Sequence, residues 1–141
     1  MMELTLEKIF TIFLSLMISV ALLIPVYSVT VKYFAVMKTE IDVSNFISLT
    51  NESISTAYKT QSNLSDIEIF YPGNITIKVE NETLVFLVTQ GNKTKIVSFT
   101  YNVKIKLLRA PTIRGNYLLS VFFIDNSDQE YISILYNNAS E

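Results

Sequence analysis

The chain has 141 residues, a formal net charge of −2 and no histidine, cysteine or tryptophan. It therefore lacks the side chains that most often hold zinc, act as a base near neutral pH or supply a thiolate, and enzymatic chemistry is not expected of it. Its 11 Lys and Arg residues are scattered rather than stacked in a stripe, which argues against nucleic acid as a partner.

The chain opens with residues 9–31, an uncharged apolar segment between Lys8 and Lys32. As a helix it reaches roughly 34 Å, enough to cross a hydrocarbon core of about 30 Å. A cleaved secretory signal has a basic start, whereas the first eight residues set Glu3 and Glu7 against Lys8. Retention as a membrane anchor is the expectation, with cleavage near Ser28, at Val26-Tyr27-Ser28, to give a secreted subunit beginning near Val29 as the alternative. Pro25 breaks one helical hydrogen bond, so a kink is expected there. Ser15, Ser19 and Ala21 offer small side chains for helix packing.

Beyond Lys32 the apolar residues Phe34, Met37, Ile41, Ile47, Ile54 and Ala57 or Tyr58 recur near helical spacing, which predicts an amphipathic continuation of the helix. It ends at the polar cluster Ser62-Asn63-Leu64-Ser65. The period then changes to two. Ile67 and Ile69 precede the Tyr71-Pro72-Gly73 turn, and Ile75, Ile77 and Val79 form a second strand. Asn81-Glu82 turns the chain into residues 84–88, a continuous apolar run suited to a central strand. After Gln90-Gly91-Asn92 comes a long alternating run through Val97, Phe99, Tyr101, Val103, Ile105 and Leu107, with a bulge or bend expected near Asn102. Residues 109–116, with Pro111 and Gly115, form a loop before a closing hairpin of residues 117–124 and 131–136.

The expected fold class is α+β: an N-terminal transmembrane helix extended by an amphipathic helix, then a small antiparallel β-sheet or sandwich of about six strands. The expected division is residues 1–32 as anchor, 33–62 as helical extension and 63–141 as an extracytoplasmic β domain. A β domain of this size is near the lower limit for an independent core and is expected to lean on a partner. No disulfide can reinforce it, which favours a prokaryotic surface over an animal secreted module.

Six Asn-x-Ser/Thr sequons lie at Asn51, Asn63, Asn74, Asn81, Asn92 and Asn138. Eleven asparagines after Ser44, in a region about one-fifth Ser and Thr, should give roughly two sequons by chance. The excess is the main sign that the C-terminal domain faces outward, since Lys8 against Lys32 and Lys38 leaves the charge rule undecided. Glycans at these positions would shield strand edges and leave the bare face for assembly. The acidic cluster Asp125, Asp128 and Glu130 reads as a polar hairpin turn rather than a calcium loop, and Glu80 and Glu82 as solvated turn residues. Most of the tyrosines read as core and strand formers. No catalytic, cofactor or metal residue and no small-molecule substrate is expected.

The apolar N-terminal helix running into an amphipathic stretch, followed by short strands such as Ile67-Glu68-Ile69-Phe70-Tyr71-Pro72-Gly73-Asn74-Ile75-Thr76-Ile77, resembles archaeal type IV pilin-like proteins and archaellum accessory subunits. The resemblance covers nearly the whole chain as a pattern. It implies a helix that serves as anchor and, in filament formers, as packed filament core, with the β domain displayed outward. No basic residue followed by Gly or Ala precedes the apolar segment, and neither Glu3 nor Glu7 sits at the start of a mature apolar helix. An anchored accessory or minor subunit is therefore expected over a major filament subunit. The implied partners are membrane lipid, the chain itself or other pilin-like subunits, and S-layer protein. The alternative is an anchored binding or adhesion module that uses the 109–116 loop.

Overall fold

The computed structural model describes residues 5–140, so Glu3 lies outside the described residues. The architecture is one long helix followed by seven strands in two sheets, an α+β fold. The chain divides into two compact units, with the division between Lys38 and Thr39 inside the helix.

Helix α1 spans Leu6–Thr60 and is helical through Pro25. Through its apolar stretch the large side chains from Leu6 to Met37 are exposed on every side. Three hydroxyls there are satisfied within the helix: Thr11 donates to the Glu7 carbonyl at 2.9 Å, Ser19 to the Ser15 carbonyl at 2.8 Å and Thr30 to the Val26 carbonyl at 2.8 Å. This segment is long and apolar enough to cross a membrane. At its other end α1 stops in a Schellman arrangement. Gln61 adopts φ 50°, and the Ser62 N–H reaches back to the Ala57 carbonyl at 3.2 Å.

In the second unit α1 buries Val43, Phe46, Ile47, Thr50, Ser53, Ile54 and Ala57. Ile47, Ile54 and Ala57 of the expected stripe lie in it, and Tyr58 packs half-buried beside it. Phe34, Met37 and Ile41 are exposed and do not belong to it, while Phe46 is central. The periodicity runs on through Phe34 because those residues are apolar for a different reason: they continue the exposed apolar segment rather than face the core.

Strands β1 (Leu64–Tyr71), β2 (Ile75–Glu80), β3 (Thr83–Gln90), β4 (Lys93–Thr100), β5 (Lys104–Arg109), β6 (Gly115–Asn126) and β7 (Gln129–Asn138) form the sheets β1-β6-β7-β5 and β2-β3-β4. The run expected to bend near Asn102 is two strands, which raises the count from about six to seven. The break at Asn102 moves the chain from one sheet to the other, so β4 pairs with β3 while β5 pairs with β7. The β5–β7 pair is parallel, with Ile105 opposite Ile132; the remaining pairs are antiparallel. The apolar run 84–88 is the middle strand of its sheet, burying Leu84, Phe86 and Val88.

The core is centred on Phe46, which is 1% exposed. Its ring stacks on Tyr136 of β7 at 5.6 Å, tilts against Tyr71 of β1 at 5.3 Å and meets Phe86 of β3 edge-on at 6.3 Å. One helical side chain thus joins the helix to both sheets. Two polar residues sit on the buried helix face because each finds an internal partner. Thr50 Oγ1 and the Tyr136 hydroxyl are 2.9 Å apart, and Ser53 donates to the Leu49 carbonyl at 2.7 Å. The turn at Gly73 has φ +94°, where a side chain would be strained, and a Cβ there would come within 3.2 Å of Arg114 Cβ.

Candidate interaction surfaces

Three surfaces of the described residues carry chemistry. The first is the exposed apolar part of α1. Counted from Ile9 to Met37 it runs about 43 Å, interrupted by Lys32 alone. It exceeds a hydrocarbon core of about 30 Å by more than two turns. Phe34, Val36 and Met37 are exposed apolar side chains on those turns.

The second is a groove of about 530 Å³ in the β-rich unit. Val43, Ile47, Val88, Val97 and Phe99 supply its apolar lining, and Glu40, Asn51 and Lys95 contribute polar groups. Lys95 lines this groove from β4, one of the two edge strands of its sheet. A charge placed beside a free edge opposes addition of a further strand. The β1 edge is disturbed differently, by a register shift between Leu64 and Ile67 where Asp66 takes φ 56°. The short β5 edge lies near β2, and Ile105 N–H donates to the Asn81 carbonyl at 2.8 Å.

The third is the loop between β5 and β6. Its shape comes from Tyr117, whose hydroxyl donates to the Ile113 carbonyl at 2.8 Å and accepts the N–H groups of Ile113 at 3.1 Å and Thr112 at 3.3 Å. Arg114 lies over the Phe70 ring at 5.6 Å, and Ile113 is exposed at the loop tip.

The sequons fall in different settings. Asn63 precedes β1, Asn81 and Asn92 occupy the β2–β3 and β3–β4 turns, and Asn138 ends β7. Asn51 lies within α1 and accepts the Tyr101 hydroxyl at 2.6 Å. Asn74 donates from Nδ2 to the Thr89 carbonyl at 3.1 Å, and its Oδ1 is buried without a partner.

Asp128 lies in the exposed β6–β7 turn, Asp125 and Glu130 face each other on the strand ends beside it, and Glu80 and Glu82 flank Asn81 in solvent. Among the described residues no three such groups converge as metal ligands. The tyrosines read as core formers include Tyr71, Tyr117 and Tyr136, all buried, and Tyr101, half-buried. Burial raises the hydroxyl pKa of Tyr136 and lifts that of Tyr101 to about 12. Burial also raises that of Tyr71, whose hydroxyl donates to the Ile75 carbonyl. Sequence periodicity missed Phe46, Thr50 and Ser53; the cue for Phe46 was its place about three helical turns before Ala57, which puts the two on one face.

No family model, curated protein or solved structure matches the chain.

Proposed function

We propose that the protein is a membrane-anchored structural subunit of a cell-surface assembly, a pilin-like or filament-accessory protein with its β domain outside the cell. The observation that carries this reading is the length of exposed apolar helix. An anchor alone needs about 20 residues, yet 29 run from Ile9 to Met37 with one charge. Tilt alone would have to reach about 45° to sink all of it in lipid, beyond the range of about 0–40° seen for membrane helices. The excess turns with Phe34, Val36 and Met37 fit a surface covered by protein, with a second copy or a like subunit as the partner. The guarded sheet edges at Lys95 and Asp66 favour helix packing over strand addition as the mode of assembly. The sequon excess supports the outward orientation, and the start of the chain, with Glu3 and Glu7 against Lys8, supports retention of the anchor over cleavage near Ser28.

The cysteine-free chain makes the test direct. A Ser98→Cys variant, exposed on β4, should react with a membrane-impermeant maleimide on intact cells. Labelling only after lysis would overturn the orientation. The full-length protein in mild detergent should be oligomeric, and Phe34→Glu with Met37→Glu should shift it toward monomer. A wild-type chain that is monomeric throughout would overturn the structural reading. That result would favour a binding module using the Tyr117-braced loop, whose preformed shape and exposed Ile113 suit recognition.

A further inference from the structure

The six sequons are alike in sequence but not in access to the acceptor atom. N-glycosylation needs a free Asn Nδ2, and the hydroxyl two residues on must be able to approach the same carboxamide. In the transfer the Nδ2–C1 bond to the sugar forms as the C1–O bond to the phosphate of a lipid-linked sugar donor breaks. The phosphate leaves with the electron pair, and the Nδ2 proton passes to a base.

At Asn51 this geometry is unattainable in the fold. Asn51 and Ser53 lie about 200° apart around the helix axis. Ser53 is 4% exposed and its hydroxyl is committed to the Leu49 carbonyl, while Tyr101 holds Asn51 Oδ1 at 2.6 Å. At Asn74 the acceptor nitrogen is itself engaged, donating to the Thr89 carbonyl, and Oδ1 is buried. Asn63 uses only its oxygen, accepting the Phe123 N–H at 2.9 Å, so its nitrogen remains available. Asn81 and Asn92 are exposed in turns. Asn138 goes further: the Ser140 hydroxyl donates to its Oδ1 at 2.8 Å, and the Ser140 N–H does so at 3.1 Å. That closed turn already brings the sequon hydroxyl to the carboxamide. A hydrogen bond to the carboxamide oxygen draws charge toward it and makes the Nδ2 proton easier to lose.

We infer that N-glycosylation is confined to Asn63, Asn81, Asn92 and Asn138, that Asn138 is the best acceptor, and that Asn51 and Asn74 are structural residues. The inference rests on the outward orientation proposed above. Asn51 then does different work, bonding Tyr101 beside the groove lined by Val43 and Ile47, and the groove wall it forms stays free of sugar.

The test is site-resolved glycopeptide mass spectrometry of the full-length protein from its own cell envelope, on the Ser98→Cys background whose surface labelling reports orientation. Sugar on Asn138 with Asn51 and Asn74 bare is the expected result. Ser140→Ala should abolish occupancy of Asn138, and Ser140→Thr should retain it. A bare Asn138, or sugar on Asn51 or Asn74, overturns the inference. If the maleimide labels the Ser98→Cys variant on intact cells while Asn138 is bare, the acceptor assignment has failed and the orientation stands. If the introduced thiol is shielded until lysis, the orientation itself has failed.

Discussion

Replacing Phe46 with alanine should destabilise the β-rich unit more than any substitution on the exposed part of α1. Phe46 is 1% exposed and contacts three aromatic rings on two sheets. Truncating a buried Phe to Ala costs about 3–5 kcal/mol, and the lost ring pairs place Phe46 toward the upper end of that range. A domain of this size is stable by about 5–15 kcal/mol, so the substitution removes a large share. At about 4–8 °C per kcal/mol, the melting temperature should fall by roughly 15–40 °C. The comparison is Phe34→Ala. Phe34 belongs to the same apolar periodicity but is 65% exposed, and its truncation should leave the melting of the β-rich unit unchanged. Full-length variants in detergent, followed by thermal far-ultraviolet circular dichroism of the strand signal, separate the two. Equal melting shifts, or a Phe46→Ala cost below about 1 kcal/mol, would refute Phe46 as the joint between helix and sheets.

The Thr50–Tyr136 pair should behave as a buried hydrogen bond: Thr50→Val alone strands the Tyr136 hydroxyl and should cost about 1–3 kcal/mol, and the double variant with Tyr136→Phe should cost less than the two single effects summed, as read from melting. Raised tyrosine pKa values mean that the folded state holds those protons more tightly than the unfolded chain. The stability they contribute is therefore complete below pH 10 and is lost as pH rises, through about 12 for Tyr101 and beyond for Tyr136. Alkaline unfolding should begin above pH 10, with ionisation at Tyr136 delayed until the fold opens, as tyrosinate absorbance would report. Lys95→Val should unguard the β4 edge and increase strand-type aggregation of the purified protein, measured by thioflavin fluorescence; unchanged aggregation would count against an edge-guarding role.

Much of the architecture follows from local pattern. Residues 9–31 are uncharged and apolar, which demands a helix in any apolar medium because its backbone bonds close internally. Alternation of Ile75, Ile77 and Val79 with polar neighbours demands a half-buried strand, and turn residues at Gly73, Asn81 and Gly91 set the strand ends. The resulting α+β order is a local property and was legible without coordinates. So was the list of six sequons, since a sequon is defined by three adjacent residues.

What tertiary structure alone decided are relations between distant residues. A run of alternating apolar residues through Asn102 shows no sign of which sheet each half joins. The choice of β3 for β4 and of a parallel β7 for β5 depends on partners elsewhere in the chain. Helical periodicity runs from Phe34 to Ala57 without marking where burial begins. Only the approach of Tyr71, Phe86 and Tyr136 makes Phe46 the core and admits polar Thr50 to the buried face. The sequons divide for the same reason. Asn51 and Asn138 have the same local motif, but Tyr101 and a buried Ser53 close one carboxamide while Ser140 is free to turn back onto the other. Periodicity and motif record what a segment prefers; burial and hydrogen-bond partners are set by what the rest of the chain brings to it.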